Sequence, residues 1–143
     1  VIPETLAKTN LGSLPPDSKV NLERSMTLAT RIGGHMVQGH IDAVCQILAI
    51  DTDEKGLIIT FSLPNELKML VVNKGYVTLD GMSLTVINRK DDQFSVAFIP
   101  HTLQATIVQF YQLGQAINIE VDVMGKYIHQ YLVNYLGEYY AKH

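Results

Sequence analysis

Apolar and polar residues alternate along most of this chain at the two-residue period of a β-strand. Runs rich in β-branched residues predict strands over Met36–Ile50, Gly56–Ser62, Tyr76–Asp80, Met82–Asn88, Gln93–Ile99 and Gln115–Asp122. Turn chemistry punctuates them: Asp51–Lys55 leads into Gly56, Asp80-Gly81 is a turn pair, and Asp91-Asp92 follows Arg89-Lys90. Connections this short leave no room for long crossovers, so the strands predict an antiparallel barrel or sandwich. Two short helices interrupt the pattern, Pro64–Leu70 and Pro100–Gln109, each opened by a proline. From Gly125 to Lys142 the period becomes helical. Tyr127, Ile128, Tyr131, Leu132, Tyr135, Leu136 and Tyr139 form two adjacent apolar stripes. Such a helix either packs on its own barrel or joins subunits.

The pattern also recurs at long range. Ile2–Glu23 (IPETLAKTNLGSLPPDSKVNLE) returns without a gap as Ile99–Glu120 (IPHTLQATIVQFYQLGQAINIE), 97 residues later. Seven of the 22 aligned pairs are identical, among them Pro3/Pro100, Thr9/Thr106, Asn21/Asn118 and Glu23/Glu120. That period is too long for a solenoid and is the size of a small domain. The repeat predicts two tandem copies of one domain: the last part of copy one in residues 1–34, and all of copy two after it. The junction falls at Gly33-Gly34, the Pro3 segment should copy the Pro100 helix, and roughly 60 residues of copy one should precede Val1.

Composition narrows the function classes. A formal charge of −3 without a Lys/Arg run gives no basic footprint for nucleic acid or an anionic membrane. No apolar stretch approaches the ~18 residues that span a bilayer. The single Cys45 has no internal disulfide partner, which suits the cytoplasm, and its apolar mid-strand setting makes it a buried small hydrophobe.

No GxGxxG, P-loop, GxSxG or CxxC motif is present, so no phosphate cradle or standard nucleophile is indicated. His35 and His40, at an odd spacing on one strand, would face opposite ways and could not share a metal. The densest polar cluster is Lys74, Asp80, Ser83 and Thr85. Ser83 and Thr85 share one strand face, opposite Met82, Leu84 and Val86. These hydroxyls either hold a polar heterocycle or simply face solvent. Asp122 either serves the site or caps the terminal helix. His101 and Thr102, at the opening of the second short helix, either cap it or meet a ligand.

The blocks NLERSM, RIGGHMVQGHID, NKGYVTLDGMSLTV, FIPHTLQAT and NIEVDVMGKY, in this order, resemble riboflavin synthase of the lumazine-dismutating, trimeric type. The resemblance implies an all-β fold: two homologous six-stranded antiparallel Greek-key barrels and a C-terminal helix. Residues 1–34 would be the last third of the first barrel, 35–122 the second barrel, and 123–143 the oligomerisation helix. It implies dismutation of two 6,7-dimethyl-8-ribityllumazine molecules to riboflavin and 5-amino-6-(D-ribitylamino)uracil, with no metal or other cofactor, in a homotrimer whose site lies between neighbouring subunits.

Second-barrel ligand segments map to Gly39-His40-Ile41, Ser83-Leu84-Thr85 and Ile99, Pro100, His101, Thr102, Leu103 and Gln104, with Lys74 reaching in from a neighbour. Val1, Ile2, Pro3, Glu4 and Thr5 map to a first-barrel ligand segment. His40, Ser83, Thr85, Lys74, Asp80 and Asp122 map to positions implicated in turnover. Cys45 does not match the family's reactive-site cysteine, which belongs to a part of the first barrel outside this chain. A non-catalytic lumazine or flavin carrier of the antenna type is the competing reading on the same fold. A small oligonucleotide-binding barrel fits the acidic balance poorly.

Overall fold

The computed structural model describes residues 1–53 and 56–142. Six antiparallel strands close into a barrel: β1 (Ala43–Asp53), β2 (Gly56–Ser62), β3 (Tyr76–Leu79), β4 (Met82–Lys90), β5 (Gln93–Phe98) and β6 (Ala116–Val121). Around the barrel their order is β1-β2-β5-β4-β3-β6. Alternation sends one face of each strand inward. Phe61, Phe94 and Phe98 meet there, with Phe61 and Phe94 stacked at 5.5 Å, among Ile47, Ile59, Val86, Val96, Ile117 and Ile119. Closure needs β1 to serve two neighbours. Its first residues pair with β6 and its later ones with β2, and a register shift between Ile47 and Ala49 lies where it changes partner. Between β3 and β4, Asp80 and Gly81 both take positive φ, the two-residue hairpin chemistry expected of Asp-Gly.

Several predicted boundaries move. The strand expected from Met36 starts only at Ala43, so His35 and His40 lie on irregular chain and the strand-face argument does not apply to them. At Gly39 the backbone turns left-handed, with φ at +75°, and leaves the extended region. The expected helix Pro64–Leu70 is a single 3-10 turn, Asn65–Leu67. The expected helix Pro100–Gln109 breaks at Thr106, giving α2 (Pro100–Ala105) and a 3-10 turn, Ile107–Phe110. Thr106 is extended, and its hydroxyl donates to the Thr102 carbonyl while accepting from the Val108 N–H. The Pro3 segment copies this as expected. There α1 (Pro3–Lys8) breaks at Thr9, which bonds the Thr5 carbonyl and the Leu11 N–H before a 3-10 turn, Asn10–Ser13. Of the turn expected at Asp51–Lys55, Asp51–Asp53 instead extend β1 along β2, and the rest lies outside the described residues.

The two halves of the repeat also touch. Asn118 accepts from the Asn10 N–H at 2.7 Å, and Asn21 accepts from the Ile107 N–H at 2.9 Å. Asn21 and Asn118 are one repeat pair, and Asn10 and Ile107 are another, so the contact is reciprocal. Residues 14–42 otherwise carry no regular structure.

The C-terminal helix α3 (Val123–Lys142) begins two residues before the helical period that starts at Gly125. Tyr127 is 72% exposed and Tyr131 69%, and Ile128, Leu132, Tyr135 and Leu136 are exposed too. This chain's own barrel therefore buries neither stripe. The Tyr139 side chain lies outside the described residues.

Candidate ligand site

On β4 the side chains of Leu84 and Val86 fill the barrel and Met82 packs against the core, so Ser83 and Thr85 point outward together, as expected. Thr85 is exposed. Ser83 stands level with Thr78 of β3, and Thr78 stands level with Glu120 of β6. One polar row thus crosses three strands on the outer face. A strap, residues 35–39, lies over it. His35 reaches Ser83 Oγ with Nδ1 at 2.7 Å and with its backbone N–H at 3.2 Å, reaches Thr78 Oγ1 with Nε2 at 3.1 Å, and stacks on Tyr76. Gly34 permits this approach, since its φ is +123° and a Cβ there would run into the Ser83 side chain. At the other end of the strap Glu120 accepts from the N–H groups of Gln38 and Gly39. The chain then emerges as Gly39-His40-Ile41, with His40 exposed. At Asp42 it is pinned again. The Asp42 N–H donates to the Ile119 carbonyl, and its carboxylate accepts from the Val121 N–H and pairs with Lys126 of α3 at 2.8 Å.

The remaining candidates are more scattered. Asp80 turns its carboxylate to β6 and the loop before it, accepting from the Asn118 N–H at 2.9 Å and the Tyr111 hydroxyl at 2.8 Å. Burial pushes its pKa up, against those two hydrogen bonds. Burial, and then the Asp80 charge, raise the Tyr111 hydroxyl as well, and push the fully enclosed Cys45 thiol to about 12. Lys74 sits exposed in a left-handed turn, and its N–H donates to the Val86 carbonyl. Asp122 accepts from the Met124 N–H, the capping geometry for α3. Capping by His101 or Thr102 does not occur. Ile99 is the N-cap of α2 and makes no side-chain cap bond, leaving His101 exposed and Thr102 half-buried. Leu103 packs toward the core, while Ile99, Pro100 and Gln104 are exposed. Val1 through Glu4 are exposed around the start of α1, and Thr5 is half-buried. An open cavity of about 840 Å³ adjoins the strap, lined by Asn21, Arg24, Arg31, His35, Met82 and Ser83 among others. Of the expected ligand residues only Ser83 lines it. Among the described residues, no three His, Cys, Asp or Glu side chains are placed to hold a metal ion, and no helix is long and apolar enough to cross a membrane.

Residues 38–122 match the lumazine binding domain. The chain belongs to the lumazine binding domain family. Its similarity to curated relatives extends beyond the domain. It is 41% identical over 93% of its length to a riboflavin synthase of Actinobacillus pleuropneumoniae, and 39% identical over 92% to one of Bacillus subtilis (strain 168). It is also 43% identical over 90% to the riboflavin synthase of Mycobacterium tuberculosis (strain ATCC 25618 / H37Rv). The chain spans 62%, 61% and 65% of these relatives' lengths. Among solved structures, LumP complexed with riboflavin superposes with a TM-score of 0.78 at 21% identity, covering 84% of this chain and 65% of that one. LumP complexed with 6,7-dimethyl-8-(1'-D-ribityl) lumazine gives 0.75 at 21%, covering 84% and 64%. These likenesses carry the fold.

Glu120, within the lumazine binding domain, stands in no catalytic motif of the sequence, and the spacing of His35, just before the matched residues, gives no sign of its bonds to Ser83 and Thr78. Strand alternation places Glu120 on the outer face, where a carboxylate reads as solvated. Its identity with Glu23 across the repeat was the available signal.

Proposed function

We propose that this chain is part of a riboflavin synthase. It would join two molecules of 6,7-dimethyl-8-ribityllumazine, one giving a four-carbon unit to the other, with riboflavin and 5-amino-6-(D-ribitylamino)uracil as products. The observation that carries the reading is the lumazine binding domain at residues 38–122, set in a chain about 40% identical to riboflavin synthases along nearly its whole length. In this reading residues 35–122 bind one lumazine at a shallow outer wall formed by Gly39–Ile41, Ser83–Thr85 and Ile99–Gln104. Residues 1–34 end a preceding homologous barrel, and Val1–Thr5 belong to its site. The exposed stripes of α3 join a homotrimer in the cytoplasm, where Lys74 reaches a neighbour's lumazine.

The chemistry suits such a wall. The lumazine C7 methyl is acidic because its anion delocalises over the ring, so a modest base such as His40 or Asp122 suffices. Holding two flat molecules face to face can supply up to ~7–11 kcal/mol of the barrier. The four-carbon transfer is balanced between two identical molecules, so it needs no external oxidant or reductant. The Ser83 hydroxyl is engaged by His35 in the chain alone, which makes Thr85 and the backbone of 39–41 the freer polar contacts.

The test uses the full natural protein. Lumazine fluorescence should change on binding, and lumazine should be converted to riboflavin. His40→Ala or Asp122→Ala should slow conversion by at least roughly tenfold, the low end for a positioned proton-transfer group. Binding without conversion would replace the enzyme by a carrier, and absence of binding would overturn the lumazine reading altogether.

A further inference from the structure

Glu120 is an acidic residue one position before the end of β6, 2% exposed, and it pairs with no cation among the described residues. A buried carboxylate is costly unless hydrogen bonds compensate it. Here both oxygens are used. Oε1 accepts from the Gln38 N–H at 2.8 Å and Oε2 from the Gly39 N–H at 2.9 Å. Two consecutive amides aimed at one anion form a backbone nest, and the left-handed Gly39 supplies the turn it needs. The nest faces the barrel, so no ligand can occupy it. Its effect falls on the residues that follow. His40 and Ile41 are strung between two points fixed to β6: Gly39 through Glu120, and Asp42 through the Ile119 carbonyl and the Val121 N–H.

We infer that Glu120 is a positioning residue, whose carboxylate sets the course of Gly39-His40-Ile41 and so the shape of the lumazine wall. The inference rests on the proposed function for the identity of the ligand. An independent observation supports the device itself. Glu23 stands at the equivalent place in the other half of the repeat, as one of only seven pairs kept identical among 22. An outer strand position that needed only solubility could have exchanged Glu for any polar residue.

The experiment compares the wild-type full natural protein with Glu120→Gln and with Val96→Ala. Val96 is a fully buried β5 residue inside the barrel, remote in role from the strap, and its truncation lowers stability without touching the nest. Lumazine affinity is read by fluorescence titration well below each melting temperature, and exchange of the Gly39 amide by NMR. Glu120→Gln replaces one acceptor by an NH2 group facing an N–H. It should weaken lumazine binding about tenfold, the size of one charge-assisted hydrogen bond's ordering, and should strip protection from the Gly39 amide. Val96→Ala should do neither. If Glu120→Gln does not fold, Glu120→Asp takes its place with the same expectation, since the shorter carboxylate cannot span both amides. Wild-type affinity in the Glu120 variant, or equal weakening in Val96→Ala, overturns the positioning role. A wild type that binds no lumazine overturns the proposed function and the ligand half of this inference, and the Gly39 exchange then decides the clamp alone.

Discussion

Removing the Tyr111 hydroxyl should destabilise the barrel by an amount that depends on pH. Tyr111 is almost fully buried, and its hydroxyl donates to Asp80 at 2.8 Å. Tyr111→Phe deletes this donor and leaves the ring packing, so no cavity term enters. A hydrogen bond to a charged partner is worth ~1.5–3 kcal/mol and a neutral one ~0.5–1.5 kcal/mol. Asp80 has its folded pKa raised above 3.8 by burial, against the pull of Tyr111 and Asn118. Its contribution to stability is therefore fully present below 3.8 and lost as pH rises through the folded value. Tyr111→Phe removes a group that favours the ionised form, so the folded pKa climbs further and the loss at high pH deepens. The expected cost is ~1.5–3 kcal/mol at pH 7, or roughly 5–10 °C in melting temperature, falling to the neutral-bond range at pH 3. Urea unfolding at the two pH values measures it. In an Asp80→Asn background, which the left-handed backbone there tolerates, the pH dependence of the cost should vanish. A cost equal at pH 3 and pH 7, or a pH dependence that survives unchanged in the Asp80→Asn background, would refute the reading of Tyr111 as a donor that favours the ionised form of a buried Asp80.

Cys45, fully enclosed and with its thiol pushed to about 12, should not react with an aromatic disulfide reagent at pH 8 until denaturant opens the barrel. Prompt labelling of the native protein would place the thiol elsewhere. Truncation after Met124 should leave a folded barrel, because the described core residues end at Val121, yet one that is monomeric and inactive. Light scattering that shows an unchanged oligomer would return α3 to a role within its own chain.

The strands were legible because alternation is a property of a closed sheet with one wet face, and β2, β4 and β5 follow it closely. The break at Thr106 is hidden in a run that looks helical throughout. Thr9 at the matching place in the repeat was the available hint, since both hydroxyls fold back on a carbonyl four residues earlier. Composition misplaces the strand start at Met36 for a physical reason. Residues 36–42 have strand-like composition, but the Gln38 and Gly39 amides go to the Glu120 side chain, and only at Asp42 does the chain bond the backbone of β6, which no periodicity records. The outward polar face of β4 was legible by residue type and less so by contact. Ser83 and Thr85 lie on one outer face as expected, while the Ser83 hydroxyl is held by His35, a contact that the spacing of the two histidines does not reveal. Asp80, grouped with them in sequence, turns instead to Asn118 and Tyr111.

These contacts tie two parts of the chain that sequence kept apart. The segment carrying His40 is fastened to β6 on either side, by Glu120 at Gln38 and Gly39 and by Asp42, and Asp42 is also the residue that meets α3 through Lys126. That ion pair is partly exposed, so by itself it is worth little, ~0–1 kcal/mol. Its partner bond to the Val121 N–H lies where β6 ends and α3 begins, and Asp122 caps the helix one residue later. Any force that reorients the first turn of α3 must therefore disturb either Asp42 or the end of β6, and both bound the His40 segment. If α3 joins subunits and His40 belongs to the proposed lumazine wall, assembly and the shape of that wall share one short stretch of backbone, Val121–Lys126. Loss of activity on removing α3 would then have two sources, a missing neighbour and a loosened wall. Lumazine affinity of the truncated barrel separates them, because a missing neighbour's catalytic partner leaves the wall's own contacts in place whereas a loosened wall does not.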